Sequence, residues 1–285
     1  MIIVNIIGGL GNQLFQYAVG KAIATKHCID LKLDVSKFTE PQLRNFDLLN
    51  FNLNINFATT TEIQRYQPQN KFQKIIHLLT PHKWRTFYKE KHFHFDKRIL
   101  DFGKNIYLKG YFQSEQYFSS YKKQFQIDLI IKDEVLTKVK ELGEVLKISN
   151  SVSVHFRRGD FATKSETLLY HGILEADYYL QAIEIIKSKI ETPSFYFFSD
   201  DIQWVKENFQ LPGAVYVSEN LSKNHIEDLY LMSCCRHNII ANSSFSWWGA
   251  WLNKNVDKIV IAPQHWFNKG PKDTQDLIPD SWIKI

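Results

Sequence analysis

Cysteine is scarce in this chain. Three thiols in 285 residues, an odd number with Cys234 and Cys235 adjacent, exclude a disulfide framework and fit a reducing, cytoplasmic compartment. No apolar run reaches the roughly 18 residues that a spanning helix needs, so any membrane contact is expected to be peripheral. Residues 1–7 are apolar but lack a basic leader and run straight into glycines, so they read as a strand and not as a secretion signal. There is no internal repeat and no low-complexity tract. His27, His77, His82 and His237 show no metal-ligand spacing, and no metal site is expected.

What is present is a 44% hydrophobic composition suited to a globular protein of one or two domains. The net charge of +5 is concentrated. Residues 71–98 hold eight Lys or Arg against Glu90 and Asp96, so this segment carries +6 and the remainder about −1. Phe72, Trp84, Phe87, Tyr88, Phe93 and Phe95 interleave with those cations. Such a segment is a solvated surface subdomain or one drawn to anionic lipid headgroups at the inner membrane or to a phosphorylated carrier. Nucleic acid is not an expected partner.

Periodicity predicts an alternating architecture. Residues 2–7 read as a buried strand, 8–13 as a tight turn, 14–26 as a helix with one apolar face, and 29–35 as a second strand: a βαβ unit, which favours a parallel sheet. Residues 36–104 break into short polar and aromatic pieces, more like an insertion than a continuing sheet. A strand returns at 106–112, a helix-rich connection at 128–149, and a buried strand at 151–157. Beyond it, helices at 178–189, 226–235 and 246–253 alternate with strands at 194–198, 214–217 and 238–241. The expectation is an α/β chain of two Rossmann-like domains, 1–150 and 151–285, with ligands where strand carboxyl ends meet helix amino ends.

Four motifs sit at such junctions. Gly8-Gly9-Leu10-Gly11-Asn12-Gln13 offers backbone N–H groups and a helix amino end to an anion or a sugar hydroxyl. With Asp34 it also resembles a dinucleotide fingerprint, although Leu14 occupies the third glycine position, and an NAD-type oxidoreductase is the alternative it raises. His155-Phe156-Arg157-Arg158-Gly159-Asp160 places two guanidinium groups where a buried strand ends, a shape fitted to phosphate, with Asp160 able to orient one of them. Ser199-Asp200-Asp201 puts acids at another strand end, where they could accept from guanine, hold ribose, bind a metal or cap a helix. Asn242-Ser243-Ser244-Phe245-Ser246 places hydroxyls at a helix amino end, and Trp247, Trp248 and Trp251 follow, with Trp247 and Trp251 four apart on one helical face as core residues are. His171-Gly172 is a lesser feature.

The combination G-G-L-G-N-Q, G-Y-F-Q-S-E-Q-Y-F, H-F-R-R-G-D-F, H-G-x-x-x-x-x-Y-Y, F-F-S-D-D and N-S-S-F-S-W-W-G-A-W-L, in this order from Gly8 to about Trp266, resembles the family-11 glycosyltransferases, the α-1,2-fucosyltransferases. The resemblance implies a GT-B architecture of an acceptor-side amino-terminal domain and a carboxyl-terminal domain that binds GDP-fucose, with the tail packing back on the first. It implies inverting transfer of L-fucose to the 2-hydroxyl of a β-galactoside in glycan synthesis such as O-antigen. No cofactor or metal is implied, and the chain lacks the Asp-x-Asp triplet typical of metal-dependent sugar transferases. By similarity, Arg157 binds the β-phosphate and Arg158 supports the fold or the second phosphate. Asp200 and the His155 backbone read guanine. Ser244 and Ser246 touch phosphates, and Asn12 approaches the sugar. Gly11, Gln13, His171, Asp201 and Ser243 join the substrate-binding set, and Asp160 is the candidate base. Transfer in another linkage, or of another GDP-sugar, is the nearer rival.

Overall fold

The computed structural model describes residues 1–38, 45–159 and 165–285. The chain divides into two compact units, Met1–Ile130 with Asp273–Leu277, and Ile131–Lys272 with Ile278–Ile285.

The first unit is a parallel sheet of β1 (Ile2–Asn5), β2 (Leu31–Asp34), β3 (Phe87–Lys89) and β4 (Ile106–Lys109) in the order β2-β1-β4-β3. β1 is buried throughout because it pairs on both edges, Ile2 facing Leu31 on one side and Ile106 on the other. The helix Leu10–His27 follows β1 and starts four residues earlier than the apolar periodicity predicts. Gly8 is the reason. Its φ of 80° lies in the left-handed region open to glycine, so the chain turns directly from strand to helix. The 36–104 segment is more than an insertion, since β3 lies within it and extends the sheet at the β4 edge. Three residues are too few to show an alternation. Asp273 and Asp276 belong to this unit, pairing with His94 at 2.9 Å and accepting from the Phe95 N–H at 2.9 Å.

The second unit is a six-stranded parallel sheet of β5 (Ser151–Phe156), β6 (Ser194–Ser199), β7 (Val215–Tyr216), β8 (His237–Ile239), β9 (Val260–Ala262) and β10 (Ile283–Lys284). Its order, β10-β9-β8-β5-β6-β7, is the doubly wound one, in which the chain reverses direction between β5 and β8. Phe156, Phe197, Tyr179 and Phe209 pack as a ring cluster under β5, with centroids 4.2 to 5.9 Å apart. Trp247 and Trp251 are fully buried core, as their four-residue spacing predicts, and Trp248 is buried with them. The unit begins at Ile131, ahead of the expected boundary near Ser151. The helix Lys140–Ile148 packs on the helix His225–Cys234, with Gly143 against the Tyr230 ring, and the Ser151 hydroxyl donates to the Leu146 carbonyl at 2.5 Å.

Two Rossmann-like parallel units in one chain constitute the GT-B class of fold. Among the described residues no helix is long and apolar enough to cross a membrane.

Candidate functional site

Three turns leave the carboxyl end of the second sheet around its reversal point. In the first, after β5, the Arg157 side chain donates from Nη1 to Asp200 Oδ2 at 2.5 Å, and the Arg158 backbone N–H donates to Asp200 Oδ1 at 2.8 Å. Asp200 thus clamps both ends of the arginine pair while each of its oxygens retains acceptor capacity. The Arg158 guanidinium lies 3.4 Å above the centre of the Trp204 ring, with Nε 3.7 Å from Asp201 Oδ2. That stacking orients a cation without consuming its donors. Gly159 is required by close approach, since a Cβ there would stand 2.2 Å from Asp200 Oδ2.

The second turn, after β6, is built to present Asp200. The Ser199 N–H donates to Ser218 Oγ at 3.0 Å, and Ser218 donates onward to Asp228 at 2.8 Å. Asp228 also accepts from Ser222, and burial pushes its carboxyl up to about 6 despite both hydroxyls holding it down. Asp201 caps the helix Ile202–Asn208, accepting from the Trp204 N–H at 3.3 Å. Of the roles its position allowed, this is the one the geometry displays.

The third turn, after β8, opens the helix Ser244–Leu252, with Ser243 as its cap accepting from the Phe245 N–H at 3.3 Å. Ser244 is half-buried in the first turn. Ser246, grouped with the phosphate-touching hydroxyls in the sequence, is turned inward: it is buried, and its hydroxyl donates to the Ser243 and Ala241 carbonyls at 3.3 and 3.5 Å. Asn242 ties three segments together, donating from Nδ2 to the carbonyls of His171 at 3.0 Å, Gly172 at 3.3 Å and Trp266 at 3.2 Å. This brings His171 to the β8 end. Buried atoms without a hydrogen-bond partner here include Asn242 Oδ1, His155 Nδ1 and Arg158 Nε. Burial lowers the His155 pKa to about 4, with Asp200 raising it and Arg157 lowering it, so the imidazole is neutral at physiological pH. Unsatisfied buried polar atoms are costly, so each calls for a partner, of which a water or a bound ligand is one.

The first unit has its own reversal point, between β1 and β4, and it is built from amides. Gln113 Nε2 donates to Asn12 Oδ1 at 2.6 Å. Gln16 accepts from the Ile7 N–H at 2.9 Å and donates to the Gly110 carbonyl at 3.0 Å. Gln13, placed in the substrate-binding set by its motif, is fully buried. It donates to the Gly8 and Asn45 carbonyls at 2.9 and 2.7 Å and accepts from the Asp47 N–H at 2.9 Å. Its work is to hold the turn. Gly11 is likewise buried in the helix start. The loop leading to Gln113 carries Phe112 at φ 54°, a strained value for a bulky residue. Glu90 holds it there, accepting from the N–H groups of Tyr111 at 2.6 Å and Phe112 at 3.0 Å, and burial raises its pKa.

Asp34, the residue that would hold ribose in a dinucleotide enzyme, is buried and occupied, accepting from the Tyr107 hydroxyl at 2.5 Å, Asn5 at 3.3 Å and the Ser36 N–H at 3.0 Å. The candidate base Asp160 lies outside the described residues. Among those described, no three His, Cys, Asp or Glu side chains form a metal-binding group. Trp204 and Asn242 were not singled out as site residues in the sequence. Trp204 falls between the predicted strands 194–198 and 214–217 in a stretch assigned no element, and the Asn242 contacts reach segments distant along the chain.

Known proteins give these features a family. The chain is 35% identical to an α-1,2-colitosyltransferase of Escherichia coli, over 100% of this chain and 99% of that one. It is 32% identical to the O-antigen biosynthesis glycosyltransferase WbnK of Escherichia coli, over 98% of each. Among solved structures, the fucosyltransferase NodZ from Bradyrhizobium shares the fold, with a TM-score of 0.50 and 13% identity, covering 87% of this chain and 91% of that one. The sequence matches the description of glycosyl transferase family 11 over residues 1–285, and the chain belongs to that family.

Proposed function

We propose that this glycosyltransferase moves L-fucose from GDP-fucose to the 2-hydroxyl of a terminal β-galactoside during assembly of a surface glycan such as O-antigen. The observation that carries the reading is the clamped pair Arg157–Arg158 at the reversal point of the second sheet. A departing nucleoside diphosphate develops negative charge at its β-phosphate. Arg157 meets that charge directly, and Arg158 with the amino end of the helix Ser244–Leu252 meets the other phosphate. Ser243 and Ser244 flank that helix end. Asp200, through its remaining acceptor capacity, and the His155 backbone receive the guanine donors.

The acceptor hydroxyl attacks the anomeric carbon opposite the leaving GDP, so the β-linked donor yields an α-product. Its proton passes to Asp160, and the electron pair of the broken bond leaves with GDP. Asn12 supports the sugar, and His171 contributes at the β8 end. Arginine charge stands in place of a divalent ion, and no cofactor takes part. The three free thiols support a reducing cytoplasm as the setting of the reaction.

A second donor has specific support in the colitosyltransferase relative. Colitose is fucose without its 3-hydroxyl, so the two differ by one hydrogen-bonding group. The deciding experiment incubates purified protein, in EDTA, with GDP-fucose or GDP-colitose and a panel of β-galactosides, reading GDP release and product linkage by NMR. An α-1,2-fucosylated galactoside supports the proposal. Turnover of GDP-colitose alone selects the second donor. Turnover only after adding a divalent ion, or no GDP-sugar turnover at all, overturns the arginine-based reading.

A further inference from the structure

The helix Lys71–Leu79 of the first unit carries its apolar side chains on the outside. Phe72, Ile75, Ile76 and Leu79 recur at the spacing of a single helical stripe, yet they are 71%, 56%, 48% and 80% exposed, and no residue of this helix is buried. Leu78 and Trp84, 66% and 76% exposed, continue the surface. Arg85 fixes these parts together by donating to the Leu78 and Thr80 carbonyls at 3.0 Å each, so Trp84 is held beside the end of the helix. An amphipathic helix that belongs to a core turns this stripe inward, and soluble proteins rarely leave a contiguous patch of this kind bare.

Charge decides what covers it. The surrounding segment, 71–98, carries +6 in a chain whose remainder is about −1, with Lys71, Lys74, Lys83, Lys89 and Lys91 all exposed. A second copy docked face to face would set two such patches against each other, and like charge opposes that pairing. An anionic bilayer satisfies both properties, burying the apolar stripe and neutralising the lysines. Beside the helix opens a cleft of about 370 Å³ lined by Arg65, His77, Trp84 and Arg85 among others, cationic and of a size for a phosphorylated headgroup.

We propose that the segment from Lys71 to Lys91 is a membrane-surface anchor. Phe72, Ile75, Leu79 and Trp84 insert among the acyl chains of an anionic phospholipid bilayer, and the lysines lie on lipid phosphates. The function stated above does not depend on this anchor, and the two are tested separately.

The test is flotation of the full-length protein with vesicles of phosphatidylcholine alone or of equal parts phosphatidylcholine and phosphatidylglycerol. Wild-type protein is expected on the mixed vesicles only and to leave them at high salt. Each basic residue at an anionic surface strengthens binding by about fivefold, so Lys74→Glu/Lys83→Glu should weaken it by about 25-fold or more. Phe72→Ser/Leu79→Ser should abolish flotation. Both variants change exposed positions, and transfer to a soluble acceptor should be unchanged, which also reports that they fold. Equal flotation with both vesicle types, or charge-reversed protein that floats like wild type, overturns the anchor. A wild-type dimer in solution that Phe72→Ser/Leu79→Ser dissolves, with no vesicle binding, assigns the face to a second copy and overturns it equally.

Discussion

The two sheet-reversal points of this molecule each lie between parallel strands, β1 and β4 or β5 and β8, and have opposite chemistry. At the second, between β5 and β8, charge predominates: Arg157, Arg158, Asp200 and Asp201 surround a helix amino end, and His155 and Asn242 keep buried polar atoms without hydrogen-bond partners. At the first, between β1 and β4, neutral amides predominate, and Gln13 and Gln16 close their hydrogen bonds on the surrounding backbone. A charged cluster with residual capacity is suited to an anion whose charge grows during reaction. A closed amide lattice is suited to holding shape beside a neutral ligand. The second reversal point is thus suited to electrostatics and the first to positioning.

The comparison breaks most visibly at Arg157. Arg157→Ala should lower transfer by about 100- to 1,000-fold, the cost of removing one preorganised oxyanion donor, while circular dichroism shows a folded protein. A soluble variant that retains more than about a tenth of activity would refute the electrostatic role. Gly159→Ala should come next. Its methyl group drives Asp200 off the arginine pair, and the loss of a charge-assisted bond weakens GDP binding by about 10- to 100-fold in calorimetry. Unchanged GDP affinity would mean that the clamp is incidental.

The amide side predicts a smaller and different response. Asn12→Ala should lower kcat/KM by about fivefold, the worth of a neutral hydrogen bond, with GDP affinity unchanged. A fall in GDP affinity instead would erase the distinction between the two reversal points. The smallest effect concerns acid stability. The unfolded chain protonates His155 near 6.5 and the folded chain only near 4, so the stability contributed by the neutral imidazole is complete above 6.5 and is lost as pH falls towards 4. Asp228 acts in the opposite sense, losing its contribution as pH rises through about 6. Comparing wild type with His155→Gln cancels the Asp228 contribution, and wild type should lose a few degrees more in Tm over that window. Parallel curves would place His155 in a less desolvated setting.

Much of this was readable from residues alone, because local signals coincided with strand ends. The apolar run 2–7, the glycine turn and the helix after it located the first reversal point, and the Arg157–Arg158 pair located the second. For Asp201 the cap was one of several roles left open, and the helix Ile202–Asn208 that it caps is seen only in the fold. Other features were hidden for physical reasons. β3, β9 and β10 are two or three residues long and carry no period that the sequence registers. The orientation of Arg158 depends on Trp204, and the anchoring of Asn242 on His171, Gly172 and Trp266, all of them partners that only the fold brings near. Gln13 and Ser246 lay within motifs of the right kind, and only burial revealed that their polar atoms face inward.

Phe112 illustrates how such a structure restricts its own variation. Its left-handed backbone favours glycine, yet its ring is wholly buried between Tyr88 and Tyr117, with centroids 6.4 and 5.8 Å away. Glycine would relax one residue and empty a ring-sized volume. A β-branched residue would fill part of that volume and worsen the torsion. Torsion and packing thus select against each other's remedies, and the loop that delivers Gln113 is closed to gradual change. Divergence in this unit is therefore expected at the residues that flank 110–113 before it reaches the loop itself.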